Sequence, residues 1–342
     1  MARSSPRRDI VVVGASAGGV EALSRLVHGL ERDNGLSSLF VVLHVMPTGT
    51  SVLPNILDRS GPLRAQVARD GAAIEPGNIY VAPPDRHMLI RDNRVRVTLG
   101  ARENGHRPAI DPTFRSAAET YGPRVVGVIL SGSLDDGAAG LAAVKRAGGL
   151  AVVQDPRDAL YGDMPASAMA ATSVDHVLDV DGIAALLNEV AGSGDDDDED
   201  SEDDVPGHWE PLMDELDQHE TEQPASGFTC PECGGALWAK QEGELLQFKC
   251  RVGHVYSPES LVEEQGRSLE AAMWAALRAL EERADLLRRV ARRVGRRGGS
   301  DEHFQRRIEN LEEQAETIRK AVTSMSTDVP SLIQSAEPAT QE

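Results

Sequence analysis

A serine placed between glycines, where an apolar run gives way to a helix pattern, is a position suited to a nucleophile. The run Val11-Val12-Val13-Gly14-Ala15-Ser16-Ala17-Gly18-Gly19 leads into Val20-Glu21-Ala22-Leu23, so Ser16 falls at a strand-to-helix turn. The glycines permit a tight turn and leave the hydroxyl uncovered, and the unpaired N–H groups of a helix start place positive potential where an oxyanion would form. Gly14-Ala15-Ser16-Ala17-Gly18 also satisfies the G-x-S-x-G nucleophile pattern. A glycine-rich first turn equally suits a phosphate, which leaves nucleotide binding as an alternative. Against it, the spacing is not G-x-G-x-x-G, and the second apolar run, Leu39–Leu43, ends in His44 where a dinucleotide site would carry an acid for the ribose. An imidazole there is placed to take the proton of Ser16, although a histidine at a strand end also serves structure alone. A carboxylate that fixes its tautomer is available in Ser131-Gly132-Ser133-Leu134-Asp135-Asp136-Gly137-Ala138-Ala139-Gly140, after the run Val125–Leu130. Helix capping is the competing role for each of these aspartates.

A second constellation lies towards the C-terminus. Cys230-Pro231-Glu232-Cys233 is a CxxC knuckle, and Cys250 is followed four residues later by His254. These are all three cysteines of the chain. With one well-spaced histidine they compose a Cys₃His tetrahedral set suited to zinc. Four protein ligands leave no open position, so the expected zinc is structural. A redox CxxC is the alternative, but it would be expected near a βαβ pattern and would leave Cys250 and His254 unexplained. Phe228, Trp238, Phe248 and Tyr256 are the expected small core of this module.

The elements that must position these groups follow from the hydrophobic pattern. Between residues 9 and 190, short apolar runs alternate with helix-patterned segments: Ile10–Val13, Leu39–Leu43, Asn78–Ala82, Val125–Leu130, Ala151–Gln154 and His176–Leu178. That rhythm predicts an α/β fold, a doubly wound, mostly parallel sheet with helices on both faces. His87–Ile90 and Arg94–Leu99 flank a turn-prone Arg91-Asp92-Asn93 and predict a hairpin. In a doubly wound sheet the carboxyl ends of adjacent strands meet at one crevice, which brings Ser16 and His44 within reach of each other.

With three such segments in order, residues 9 to 182 resemble the catalytic domain of CheB protein-glutamate methylesterases. The matching motifs are Ser16 in its glycine-rich turn, His44 in His44-Val45-Met46-Pro47, and Asp136 in Gly132-Ser133-Leu134-Asp135-Asp136-Gly137-Ala138. Gly77–Pro84, His106-Arg107-Pro108-Ala109-Ile110-Asp111 and Tyr161-Gly162-Asp163-Met164-Pro165 are similar as well. The resemblance implies hydrolysis of glutamate γ-methyl esters on chemoreceptor-type proteins, with deamidation of glutamine as a related activity and no cofactor for catalysis. It assigns Ser16 as nucleophile, His44 as general base and Asp136, rather than Asp135, as the orienting acid. Implied partners are a methylated chemoreceptor or other signalling protein, extending to a methyltransferase or response regulator. The family usually has Thr after the nucleophile and Met in the acid loop, where this chain has Ala17 and Ser133. Typical members begin with a phosphorylatable receiver domain; here the first catalytic strand begins almost at once, so control through a fused receiver is expected to be absent.

The net charge of −20 is local. Fifteen acidic residues and no Lys or Arg fall between Asp195 and Glu222, leaving −5 for the remainder. Such a tract reads as a disordered linker and argues against nucleic acid as a partner. After it, Ser257-Pro258-Glu259-Ser260 is a helix start. Apolar or small residues at 273, 277, 280, 284, 287, 291 and 294, and again at 304, 308, 311, 315, 318, 322 and 325, form a heptad seam on both sides of Gly298-Gly299. That predicts an antiparallel helical hairpin, a protein-interaction or dimerisation element, with Arg288, Arg289, Arg292, Arg293, Arg296 and Arg297 near its tip. The expected layout is a catalytic domain at 1–192, an acidic linker at 193–225, a zinc-ribbon-like module at 226–256, the hairpin at 257–328 and a tail at 329–342. No run approaches the ~20 apolar residues of a membrane span, and MARSSPRRDI has no signal-peptide core, so a cytoplasmic protein without membrane insertion is expected. A catalytically silent CheB-like adaptor, acting through its zinc module and hairpin, is the alternative function.

Overall fold

A computed structural model describes residues 7–31, 38–48, 51–191, 224–242, 245–295 and 302–325. The whole acidic tract Asp195–Glu222, the hairpin tip with Arg296 and Arg297, and the tail at 329–342 lie outside these residues. The chain divides into two units, Met1–Leu261 and Val262–Glu342.

The first unit is built on a seven-stranded parallel sheet in the order β3-β4-β2-β1-β7-β8-β9. Its strands are β1 (Ile10–Ala15), β2 (Ser38–Leu43), β3 (Arg64–Val67), β4 (Asn78–Val81), β7 (Val125–Ile129), β8 (Leu150–Gln154) and β9 (His176–Leu178). Every residue of β1, β2 and β7 is buried, which is why these strands are written as unbroken apolar runs rather than alternating ones. The pleat still sorts them. Val11 and Val13 face one core, packed by α1 (Gly19–His28), α2 (Leu53–Ser60) and α6 (Val180–Ala191). Ile10 and Val12 face the other, packed by α3 (Ile110–Tyr121), α4 (Ala138–Arg146) and α5 (Asp163–Ala171). The predicted hairpin is β5 (His87–Arg91) and β6 (Arg94–Thr98), antiparallel, with Met88, Ile90 and Val95 in the second core.

Each apolar run of the sequence thus forms a strand, and the sheet adds an edge strand the pattern does not announce. β3 reads Arg-Ala-Gln-Val and has no fully buried residue, so it carries no run to detect. From β1 the chain winds out through β2 and β4 on one side and resumes on the other side at β7. The carboxyl ends of β1, β2 and β7 therefore surround the point where the winding reverses, the place where such sheets carry their sites.

The same unit contains a three-stranded antiparallel sheet of β10 (Leu237–Glu242), β11 (Leu245–Cys250) and β12 (Val255–Tyr256). α7 begins at Pro258, where Pro at the first helical position was expected, and runs to Gly295. The Ser260 N–H donates to Ser257 Oγ at 3.0 Å, so Ser257 is the cap. In the second unit α7 packs against α8 (Glu302–Met325). Pairing of Glu281 with Arg319 and of Arg288 with Glu312 makes the two helices antiparallel. Leu277, Ala284, Ala291, Ile308, Leu311, Ala315 and Val322, all positions of the heptad seam, are buried.

Candidate functional site

Three loops at strand ends bring Ser16, His44 and Asp136 together. Ser16 follows β1, and its N–H donates to Ser131 O at 3.0 Å in the loop after β7. His44 follows β2, and its N–H donates to Ala15 O at 3.2 Å. Both backbones are thus pinned across the sheet before any side chain is considered. His44 Nδ1 lies 3.0 Å from Ser16 Oγ, and its Nε2 lies 2.7 Å from Asp136 Oδ2. With the proton on Nε2 donated to the carboxylate, Nδ1 presents a lone pair to the serine hydroxyl. The His44 ring also stacks on His106, centroids 3.6 Å apart and 10° from parallel, which restricts its rotation.

The acid is satisfied on both oxygens. Oδ2 accepts the Ile110 N–H at 2.7 Å besides the His44 bond, while Oδ1 accepts Asn104 Nδ2 at 3.1 Å and the Asp111 N–H at 3.3 Å. Ile110 opens α3, so the carboxylate also sits at the positive end of that helix. Burial works to raise the Asp136 carboxyl, but the His44 hydrogen bond, the charges of the His44 and His106 rings and the Ile110 N–H hold it well below the usual range. Burial, reinforced by the charge on Asp136, pushes the neighbouring Asp111 carboxyl far up. Asp135, the other aspartate of the loop, turns away from His44 and accepts Ser260 Oγ at 2.7 Å.

Two glycines are required by close approach. Gly18 has φ +73°, and a Cβ there would come 2.7 Å from Ser131 Oγ. A Cβ on Gly132 would meet Met164 Sδ at 2.1 Å and Ser16 Cβ at 2.9 Å. The acid loop can lie against the nucleophile only because residue 132 has no side chain.

Sequence reasoning passed over Asn104, although it touches Asp136 directly and is only 5% exposed. Its single signal is Asn104-Gly105 two residues before His106, which reads as an ordinary turn.

The second constellation is also brought together. The ligand atoms of Cys230, Cys233, Cys250 and His254 lie within 4.8 Å of one another. His254 Nδ1 is 3.7 Å from Cys230 Sγ and 3.4 Å from Cys250 Sγ, and Cys233 Sγ is 3.6 Å from Cys250 Sγ. A tetrahedron with metal–ligand distances of ~2.0–2.3 Å has edges of roughly 3.4–3.8 Å, so the donor set fits zinc in both chemistry and size. His254 Nε2 faces the Glu232 carboxylate at 3.9 Å. Of the expected core, Phe248 and Tyr256 are buried, whereas Trp238 is half-buried and outside the cluster and Phe228 is exposed; Leu237 and Leu261 take their place.

Comparison with known proteins singles out the first constellation's domain. A family model described as CheB methylesterase matches residues 11–187. A relative from Leptospira interrogans is 40% identical over 180 residues, 52% of this chain and 93% of that protein. Protein-glutamate methylesterase/protein-glutamine glutaminase 3 of Anaeromyxobacter dehalogenans is 42% identical over 184 residues, 53% of this chain and 54% of that one. Among solved structures, the CheB methylesterase catalytic domain of Thermotoga maritima matches with a TM-score of 0.51 and 33% identity, covering 53% of this chain and 98% of that one. Among the described residues no helix is long and apolar enough to cross a membrane.

Proposed function

The chain belongs to the CheB methylesterase family, and from that premise we propose that it hydrolyses glutamate γ-methyl esters, and deamidates glutamine, on a chemoreceptor-type signalling protein by a Ser16-His44-Asp136 triad. The observation that carries the reading is the continuous path from Ser16 Oγ through both nitrogens of His44 to Asp136, at 3.0 and 2.7 Å. Ser16 Oγ attacks the ester carbonyl carbon while its proton passes to His44 Nδ1. The tetrahedral intermediate collapses, His44 returns the proton to the leaving oxygen, and methanol departs. His44 then takes a proton from water, which attacks the acyl-serine ester, and Ser16 recovers its hydrogen as the glutamate carboxylate is released. Asp136 keeps Nε2 protonated and stabilises the imidazolium. The oxyanion is assigned to backbone N–H groups on the loops after β1 and β7, with those of Ala17 and Ser133 as candidates. On glutamine the same steps release ammonia.

The Cys₃His set is assigned to one structural zinc held by Cys230, Cys233, Cys250 and His254, and the layout of catalytic domain, linker, metal module and helical hairpin is retained with it. The test of the catalytic reading is methanol release from methylated receptor cytoplasmic domains. Ser16→Ala should lower it by about 10⁴-fold or more while leaving the melting temperature within a few degrees. A Ser16→Ala protein that still releases methanol would exclude the triad. A wild type that binds methylated receptor and releases none would be the adaptor.

A further inference from the structure

The metal module reaches the catalytic acid through Asn104. Asn104 uses its backbone N–H and both polar atoms of its side-chain amide. Its N–H donates to Val255 O at 2.7 Å, its Oδ1 accepts the Ser257 N–H at 3.0 Å, and its Nδ2 donates to Asp136 Oδ1 at 3.1 Å and to Asp111 Oδ2 at 3.2 Å. One face of this amide therefore belongs to the segment that follows His254, and the other belongs to the triad. The contact is broader than one side chain: the Val255 N–H donates to Arg102 O at 3.3 Å, Arg102 pairs with Glu232 at 3.5 Å, and Ser260 holds Asp135. Asp135 and Asp136 are adjacent, so the acid loop is gripped on both sides.

We propose that the Cys/His module is a positioning element of the active site, acting through Asn104, so that metal occupancy sets the rate of hydrolysis. The inference rests on the triad reading of Asp136. The module has little apolar support of its own. The module's buried cluster is Cys230, Leu237, Phe248, Cys250, Tyr256 and Leu261, and two of the six are metal ligands. A core that small does not fix a conformation by apolar burial, and metal binding energy becomes its folding energy. The turn between Cys250 and His254 is closed by Cys250 N–H to His254 O at 3.0 Å, and Val255 and Ser257, one and three residues further on, hold Asn104. Without the metal, Val255 and Ser257 are not held in place, Asn104 loses its backing, and Asp136 Oδ1 loses one of its two donors. The carboxylate then has freedom to swing away from His44, and misplacement of a catalytic group by about 1 Å is worth about 10²-fold in rate.

The experiment uses the full-length chain, with and without stoichiometric zinc after chelation, comparing wild type, Asn104→Ala and Ser16→Ala. In the wild type, metal removal should lower kcat for methanol release by about 10–100-fold with KM changed by less than about 2-fold. Asn104→Ala with zinc bound should show the same kcat loss, and chelating it should add less than about 2-fold, since both act through one hydrogen bond. Amide hydrogen exchange provides a readout independent of turnover: protection at residues 101–111 should fall on chelation in the wild type and equally in Ser16→Ala. If Asn104→Ala is too unstable to assay, Asn104→Ser replaces it, and Cys233→Ser, at the exposed ligand, supplies a metal-poor protein without chelator. Unchanged kcat and unchanged exchange on metal removal would overturn the proposal, as would losses from Asn104→Ala and chelation that multiply. An active Ser16→Ala would instead overturn the triad and leave the exchange result standing.

Discussion

Ser16, His44 and Asp136 stand at the ends of strands buried on both faces, backed by two cores of more than twenty residues each. Cys230, Cys233, Cys250 and His254 stand at the turns and ends of a small antiparallel sheet with a six-residue buried cluster. The triad's geometry is set by the fold before any ligand arrives. That of the cluster is set by the ion it would hold. A constellation's robustness comes from what lies behind it, so equal perturbations of the two should differ in effect.

The largest effect belongs to the triad. Asp136→Asn keeps the shape but cannot keep the proton on His44 Nε2 through a carboxylate, and kcat should fall by about 10⁴-fold with a folded protein by circular dichroism. A fall of only a few-fold would mean that the strand-end framework does not make Asp136 the orienting acid. Next comes the module. Elemental analysis of protein purified without chelator should give one zinc per chain, and chelation should abolish amide protection across 226–256 while β1, β2 and β7 keep theirs. Protection that survived without metal would show that the apolar cluster holds the module by itself, as the two cores hold the sheet. Third, Gly132→Ala forces a Cβ to within 2.9 Å of Ser16 Cβ and 2.1 Å of Met164 Sδ. The sheet can absorb the crowding but the loop cannot, so kcat should drop by about 10–100-fold with a modest loss of melting temperature.

What was legible in the sequence follows the same division. Strands buried on both faces announce themselves as apolar runs, and the glycine-flanked turns after β1 and β7 mark where backbones approach closely. The site's three side chains were readable because each lies next to such a turn. The Cys/His cluster was readable because the spacing that suits a tetrahedral metal is local, whatever the rest of the chain does. Asn104 was not readable, since its partners Asp136, Asp111, Val255 and Ser257 come from separate segments and an Asn-Gly pair signals only a turn. β3 was missed for a related reason: an edge strand with no buried residue has no pattern beyond its pairing with β4.

The smallest predicted effect is also the most local, because Asp135 and Asp136 are one peptide apart and oppositely perturbed. Burial raises the Asp135 carboxyl, with hydrogen bonds from Ser257 and Ser260 offsetting it only in part. For Asp136 the His44 bond and the surrounding donors overcome the same burial and depress it. A depressed carboxyl stabilises the fold above its unfolded value of ~3.9, and that contribution disappears as pH falls through the folded value. A raised carboxyl does the reverse: its charge opposes folding as pH climbs from ~3.9 through the folded value. Asparagine at 135 still accepts from Ser260 Oγ, so its net effect should stay within about 1 kcal/mol. Urea unfolding from about pH 3 to about pH 8 should therefore show the Asp136→Asn deficit present in full above ~4 and shrinking below it. The Asp135→Asn difference should move the other way, in favour of the variant as pH rises. Parallel curves for the two variants would mean that the triad side and the module side of this loop are electrostatically alike, against the separation of roles that the hydrogen bonds to His44 and Ser260 describe.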